Sequence, residues 1–563
     1  MIKKEITGSE IFIKSLLEEK VDVIFGYPGG ANMPIYDALY FYEKKLRHIL
    51  VRHEQGATHA AEGYARITGR PGVCLATSGP GATNLVTGIA DAMMDSTPIV
   101  CFTGQVAAEF LGSDAFQETD VLGITTPITK WNCQVTRATE IPEAVAKAFY
   151  IATHGRPGPV VVDITKNAQF EKTEFKYPKN FFIEKLKNLN KFYKEEIKKA
   201  AKIINQSRSP LMLVGHGVLI SKAQQEVKKV MEISGIPAAS TLHGLSAVSP
   251  DHPLYVGMLG MHGNYSPNKL TNSTDLILAV GMRFDDRVTG KLSKYAPGAK
   301  VIHIDIDASE HQKNVPTTVS LIGDAKNVLQ ALIPHLKKNN HKKWINQFKN
   351  LDDQEKQASK KRRSENGGKI HMDQVVALLS KKTKGQAVIV SDVGQNQMFA
   401  ARYYDFRVAN GYITSGGLGT MGFAVPAAIG VKIGVPEKMV IAIAGDGGFQ
   451  MTIQELGTIM QEKLPIKILL LNNEYLGMVR QWQQLFFEKR YSFTKLDDPD
   501  FIAISKAYKI SAEKIEKIEL LDQALDKFIK NKGPCLLEVK VVKEDNIFPM
   551  VPTGASVADV RLK

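Results

Sequence analysis

Val440-Ile441-Ala442-Ile443-Ala444-Gly445-Asp446-Gly447-Gly448-Phe449, followed downstream by Ile468-Leu469-Leu470-Leu471-Asn472-Asn473, decides how this chain is read. Both segments are short apolar runs that stop abruptly at glycine or polar residues. Runs without polar alternation fit strands buried on both faces, as in parallel sheets. Between them, Gln454 to Gln461 has helical periodicity. Asp446 and Asn473 therefore both leave the carboxyl ends of strands, the place where ligands sit in open α/β sheets. Hard cations such as Mg²⁺ take oxygen ligands and share them with phosphates. The Asp446 carboxylate, the Asn473 amide and the backbone carbonyl of Tyr475 would suit a diphosphate–Mg²⁺ site. Gly445, Gly447 and Gly448 would let backbone N–H groups approach phosphate oxygens. Gly-Asp-Gly alone is a common turn; its pairing with Asn-Asn at this separation makes the signal specific.

The same strand signature recurs at Val160–Asp163, Leu211–Val214, Leu276–Val280 and Val388–Val390, alternating with helix-period runs. The fold class is α/β, with parallel sheets flanked by helices. At roughly 150 residues per domain, 563 residues imply three or four domains. Two lysine-rich stretches, 171–202 and 336–369, divide the chain into 1–185, 190–355 and 370–563. They carry much of the net charge of +14. Neither is interleaved with aromatic residues as a nucleic-acid groove would be, so they read as solvated helix faces and linkers. Cys74, Cys101, Cys133 and Cys535 form no CxxC pair, which leaves reduced thiols as in a cytoplasmic protein. The N-terminus reads as a domain's first helix, capped by Gly8-Ser9, rather than as a leader peptide. No run of about 20 apolar residues suggests a membrane span.

Two further segments stand out. Arg52-His53-Glu54-Gln55-Gly56-Ala57 runs into Ala60-Ala61-Glu62-Gly63-Tyr64-Ala65-Arg66 and then Thr77-Ser78-Gly79-Pro80-Gly81. Ser415-Gly416-Gly417-Leu418-Gly419-Thr420-Met421-Gly422 contains a GxGxxG. A nicotinamide site would need a strand before that motif and an acidic residue at a set distance after it. No clear strand precedes it in the sequence.

Taken together these segments resemble the thiamine-diphosphate enzymes, and within them the acetohydroxyacid (acetolactate) synthase catalytic subunit, across essentially the whole chain. The resemblance also rests on Phe25-Gly26-Tyr27-Pro28-Gly29-Gly30, Asp114-Ala115-Phe116-Gln117-Glu118, Gly155-Arg156-Pro157-Gly158-Pro159, Met258-Leu259-Gly260-Met261-His262-Gly263, Arg283-Phe284-Asp285-Asp286-Arg287 and Gly477-Met478-Val479-Arg480-Gln481-Trp482. It implies three domains, binding in turn the cofactor's pyrimidine, FAD, and the diphosphate with Mg²⁺. It implies that Glu54 faces the aminopyrimidine ring, whose imino tautomer takes the proton from the thiazolium carbon, a form of acid–base catalysis routed through the cofactor. Glu62 is then structural. Pro28, Gly394, Gln395, Asn396, Gly419, Met421 and Met478 join Gly445, Gly447 and Gly448 around thiamine diphosphate, with Met421 wedged under it. FAD falls to Arg156, Met261, His262, Gly263, Gly281, Arg283, Asp305 and Asp324. Arg283 and Trp482 receive the second 2-oxo acid, and Phe116, Gln117 and Lys166 belong to active-site loops. The implied reaction joins two pyruvates to 2-acetolactate with loss of CO₂, or pyruvate and 2-oxobutyrate to 2-aceto-2-hydroxybutyrate. The implied assembly is a homodimer or larger, with the active site shared between subunits and a small regulatory subunit as partner.

Departures from the family pattern are local. Gly394-Gln395-Asn396-Gln397-Met398-Phe399 stands where the family has Gly-Gln-His-Gln-Met-Trp, so Asn396 would offer a phosphate only an amide donor. Asp163-Ile164-Thr165-Lys166-Asn167 keeps the lysine but loses the family's proline. The rival readings are a flavin-independent catabolic acetolactate synthase and pyruvate oxidase. Glyoxylate carboligase is disfavoured by Glu54, and a non-catalytic binding subunit by the intact Glu54, Asp446 and Asn473.

Overall fold

The computed structural model describes residues 5–178, 181, 192–364 and 368–563. Among them the chain forms three six-stranded sheets and one two-stranded sheet. The expected boundary between the first and central domains, at 185–190, lies outside the described residues.

Every strand pair in the three large sheets is parallel. The first sheet runs Arg47–Leu50, Val23–Gly26, Gly72–Ala76, Ile99–Gln105, Val160–Thr165, Trp131–Val135. The third runs Tyr412–Thr414, Val388–Ser391, Val440–Gly445, Lys467–Asn472, Cys535–Lys540, Ser511–Ile515. Counted along the chain, both follow the order second, first, third, fourth, sixth, fifth. The central sheet differs: Tyr255–Met258, Ala238–Ser240, Pro210–Val214, Leu276–Val280, Lys300–Asp305, Val319–Ile322. Its order, third, second, first, fourth, fifth, sixth, is that of dinucleotide-binding sheets, whose crevice opens where the order reverses. Here that point lies between the ends of Pro210–Val214 and Leu276–Val280.

The first and third domains are joined by one tight helix pair. Glu54–Thr68 and Ala424–Gly434 pack so closely that a Cβ on Gly63 would lie 2.1 Å from the Ala427 carbonyl oxygen, and one on Gly430 1.7 Å from that of Ala60. Ala424–Val431 is buried all round, as expected of a helix without a polar face. Glu455, fully buried, accepts hydrogen bonds from the backbone N–H groups of Arg52 and His53 and so holds the entrance to the Glu54 helix.

The basic stretch 336–369 contains the helix Lys342–Ser364, which buries only Trp344, Phe348 and Glu355 among its described residues. The solvated reading holds for that helix. Three local expectations are corrected. The first helix, Gly8–Glu18, is capped by Thr7, whose side chain accepts from the Glu10 N–H, rather than by Gly8-Ser9. A helix already starts at Asp446 (Asp446–Met451), and Gln454–Gln461 divides into a 3₁₀ turn, Ile453–Glu455, and the helix Leu456–Gln461. A strand does precede the GxGxxG segment: Tyr412–Thr414, too short to show a periodic signal. All four cysteines are free thiols. No described helix is long and apolar enough to cross a membrane.

Candidate active site

The carboxyl ends of the central and third sheets open into one continuous cavity of about 580 Å³, within the usual range for a bound organic ligand. Arg156, Met261, His262, Gly281, Arg283, Asp305 and Asp324 line it on the central-domain side. Gly394, Gly419, Met421, Met478 and Trp482 line it on the third-domain side.

Beside this cavity stands the acidic corner. Gly445 pairs with Leu471, so Asp446 and Asn473 leave adjacent strand ends. The Asp446 carboxylate is buried, and its Oδ2 has no hydrogen-bond partner. Burial, reinforced by nearby Asp498, pushes its carboxyl up to about 8. A buried carboxyl oxygen without a partner fits a cation ligand that displaces its proton. Asn473 Oδ1 accepts from the Tyr475 N–H, and Asn473 Nδ2 donates to Gln395 Oε1 at 3.3 Å. Gln395 donates to Gln481, next to Trp482, and to the Asp545 carbonyl, which ties this corner to the chain's C-terminal segment. A Cβ on Gly447 would come within 3.5 Å of Met421 Cε, so the corner adjoins the cavity floor. Gly394, at φ 139°, takes a backbone conformation that glycine alone adopts easily. These residues fit a Mg²⁺–diphosphate group.

Asn396 departs from its expected role. It does not line the cavity, and its amide donates to the Asp392 and Ile443 carbonyls, so its donors serve the strand ends.

The glycine-rich loop is held by carboxylates that sequence reading missed. Asp392 accepts from the Gly422 and Ala424 N–H groups, and burial raises its carboxyl to about 6. Its signal was available: an aspartate directly after the strand Val388–Ser391. Ser415 Oγ donates to Asp91 and accepts from the Gly419 and Thr420 N–H groups. Asp95 accepts from Gly416 and Gly417.

On the central-domain side, the glycines sit where backbones touch. A Cβ on Gly217 would lie 2.7 Å from Gly281 Cα, and one on Gly215 2.2 Å from the Gly281 carbonyl oxygen. His262 is buried; burial, with Arg402 and Arg287 nearby, lowers its imidazole to about 3, and its Nδ1 has no partner. Burial raises Asp305 to about 6. An apolar crevice with a dinucleotide-type strand order and a few unsatisfied polar groups fits a flavin dinucleotide. His216 and Gly217 also line it and went unnoticed; glycine directly after the strand Pro210–Val214 was the available signal.

The first domain reaches the cavity through Met94–Ser96 and Gly155–Pro157, but its other expected site residues gather elsewhere. Glu54, the first residue of its helix and buried, accepts from Asn84 Nδ2, and a Cβ on Gly81 would lie 3.3 Å from Glu54 Oε1. Gln117, at φ 61°, packs against Gly79. Phe116 is largely exposed, and Lys166 lies near Met33 and Phe170. Glu54, Pro28, Phe116, Gln117 and Lys166 are not among the described residues that line the cavity. Neither are Gly263, Gly445, Gly448 and Tyr475.

Three family models match the chain: "Thiamine pyrophosphate enzyme, N-terminal TPP binding domain" over residues 6–124, the central domain over 197–332, and the C-terminal TPP binding domain over 392–539. The chain is 45% identical to the acetolactate synthase large subunit of Corynebacterium glutamicum, covering 99% of this chain and 90% of that one. It is 44% identical to the acetolactate synthase isozyme 2 large subunit of Escherichia coli, covering 98% of each. It is 42% identical to a probable acetolactate synthase large subunit of Methanococcus aeolicus, covering 99% and 95%.

Proposed function

The chain belongs to the thiamine pyrophosphate enzymes and, among them, to the acetolactate synthase large subunits; on that premise we propose how its residues divide the reaction. It is a biosynthetic acetolactate synthase, condensing two pyruvates to 2-acetolactate and CO₂. Bound thiamine diphosphate supplies the carbanion centre that takes up pyruvate and lets CO₂ depart.

In this reading Asp446, Asn473 and the Tyr475 carbonyl hold Mg²⁺, and Gly445, Gly447 and Gly448 admit the diphosphate. Met421 supports the cofactor from the cavity floor. Glu54 holds a proton at the pyrimidine ring. As the family resemblance implies, Glu54 of one copy serves the Asp446 and Asn473 site of a second, in a homodimer or larger assembly. FAD occupies the central-domain side of the cavity, bounded by Arg156, His262 and Gly281. Arg283 meets the acceptor's carboxylate with its guanidinium. Trp482 packs against the acceptor's alkyl group, which admits 2-oxobutyrate beside pyruvate. Gln117 and Lys166 act in catalysis and Phe116 meets the substrate, each from an active-site loop. The domains divide at 1–185, 190–355 and 370–563. The relatives named as large subunits support a small regulatory subunit as partner, and the enzyme works in the cytoplasm.

One observation carries this assignment: the Asp446 carboxylate, whose Oδ2 has no partner, sits beside a cavity lined by Arg283 and Trp482. The test supplies purified protein with pyruvate, thiamine diphosphate, Mg²⁺ and FAD, with and without 2-oxobutyrate. Acetolactate alone in the first case, diverted to acetohydroxybutyrate in the second, is expected. Acetate or acetyl phosphate instead would move the assignment to pyruvate oxidase. Full activity in a colourless, flavin-free preparation would move it to the catabolic synthase.

A further inference from the structure

Asp95 is where the three domains meet. It follows the helix Val86–Met94 of the first domain, and its buried carboxylate accepts from the backbone N–H groups of Gly416 and Gly417 at 2.9 and 2.7 Å. Those glycines open the loop that runs to Met421 on the thiamine side of the cavity. His243 of the central domain places Nε2 3.0 Å from the same carboxylate. Arg66 donates to His243 Nδ1, which leaves the ring proton on Nε2, the nitrogen facing Asp95. The fit leaves no slack: a Cβ on Gly416 would lie 2.1 Å from His243 Nε2, and one on Gly417 2.9 Å from Asp95 Oδ1. Burial works to raise the Asp95 carboxyl, but His243, Arg66 and the Gly416 N–H together hold it below the usual carboxylate range.

The next residue carries the connection to the far side. Ser96, at φ 58°, turns the chain sharply, and its hydroxyl accepts from Arg156 Nε at 2.8 Å. Arg156 in turn stands 3.4 Å from Asp307 and 3.2 Å from Glu310 at the end of the central sheet. Asp95, Ser96, Arg156 and His243 all line the cavity. A short rigid link thus runs from the flavin side, through Arg156 and Ser96, to Asp95 and the glycine loop.

We propose that Asp95 is a positioning residue that couples the two cofactor sites: ordering Arg156 and His243 around FAD sets the loop Ser415–Met421 for thiamine diphosphate, so the two cofactors bind cooperatively. The inference rests on the flavin reading given above. Such coupling is reciprocal, and a typical value is between about 5-fold and 150-fold in affinity.

The test is calorimetric titration of the full-length protein with thiamine diphosphate at fixed Mg²⁺, without and with saturating FAD, and the converse titration. In the unaltered protein FAD is expected to tighten thiamine diphosphate binding by about tenfold, and thiamine diphosphate to tighten FAD by the same factor. Asp95→Asn, which keeps the shape but loses the second acceptor oxygen and the charge, is expected to bring that ratio below about twofold. A residue that merely stabilised the fold would weaken both affinities and leave their ratio intact. Ser96→Gly keeps the turn and removes the Arg156 contact; it is expected to reduce the ratio as well, and it decides the matter if Asp95→Asn does not fold. A ratio unchanged in the variants, or absent from the unaltered protein although FAD binds, overturns the coupling alone. Failure of the unaltered protein to bind FAD overturns both the coupling and the flavin reading.

Discussion

Asp446 and Asn473 emerge side by side because their strands end in register, with Gly445 paired to Leu471. The Asp446 carboxyl is buried, and burial with Asp498 nearby raises it to about 8 from an ordinary 3.8. Between about pH 4 and pH 8 the metal-free folded chain therefore holds a proton here that the unfolded chain has released. Stability falls as pH rises wherever the folded state binds more protons. Melting temperatures of the metal-free protein are expected to fall across that window through this group. The gain on adding Mg²⁺ with thiamine diphosphate is expected to grow over the same range, since the cation displaces the proton. Asp446→Asn should remove the pH-dependent part of that gain. A gain in Asp446→Asn that keeps its full pH dependence would exclude Asp446 as the ligand.

Glu54 offers an acceptor oxygen beside Gly81, while its other oxygen is held by Asn84. Glu54→Gln preserves the size and the Asn84 contact but cannot hold a proton in exchange. Acid–base groups contribute typically 10²- to 10⁴-fold. Acetolactate formation is expected to fall by at least about a hundredfold, with cofactor binding retained by calorimetry. Turnover within a factor of a few of the parent would remove Glu54 from the chemistry.

The helix pair Glu54–Thr68 and Ala424–Gly434 predicts a stability effect independent of function. Gly430→Ala places a methyl carbon 1.7 Å from the Ala60 carbonyl oxygen, so the helices must separate. Overpacking of this kind typically costs about 1–3 kcal/mol. Denaturant titration should show a lower midpoint with an unchanged slope. A variant as stable as the parent would mean that the helices already have room to move apart.

The two strand ends carrying Asp446 and Asn473 were legible because parallel strands buried on both faces leave unbroken apolar runs. Pro210–Val214 and Leu276–Val280 were legible for the same reason. Tyr412–Thr414 was not, because three residues give no period. The separation of Glu54 from the cavity of its own chain was implied only through the family's subunit-shared site: the motif names a chemistry, whereas its position depends on how the first sheet packs against the third. Asp95 and His243 escaped because each is an ordinary residue locally. Their meaning lies in a contact with Gly416 that joins residues from three domains.

Trp482 is 37% exposed at the cavity wall, on the helix Gly477–Phe486, with Met478 and Arg283 lining the same space. Its neighbour Gln481 is fully buried and fixed: it accepts from Gln395 and from the Ile547 N–H, so the indole is carried on a rigid support. A pocket that gains one extra methyl's contact discriminates by about 1–3 kcal/mol. Trp482→Leu is therefore expected to lower the preference for 2-oxobutyrate over pyruvate by about tenfold or more. The measurement is the ratio of acetohydroxybutyrate to acetolactate with both acceptors present in competition. A ratio equal to the parent's would place the alkyl group of the acceptor against another wall, and Met478 would be the next side chain to replace.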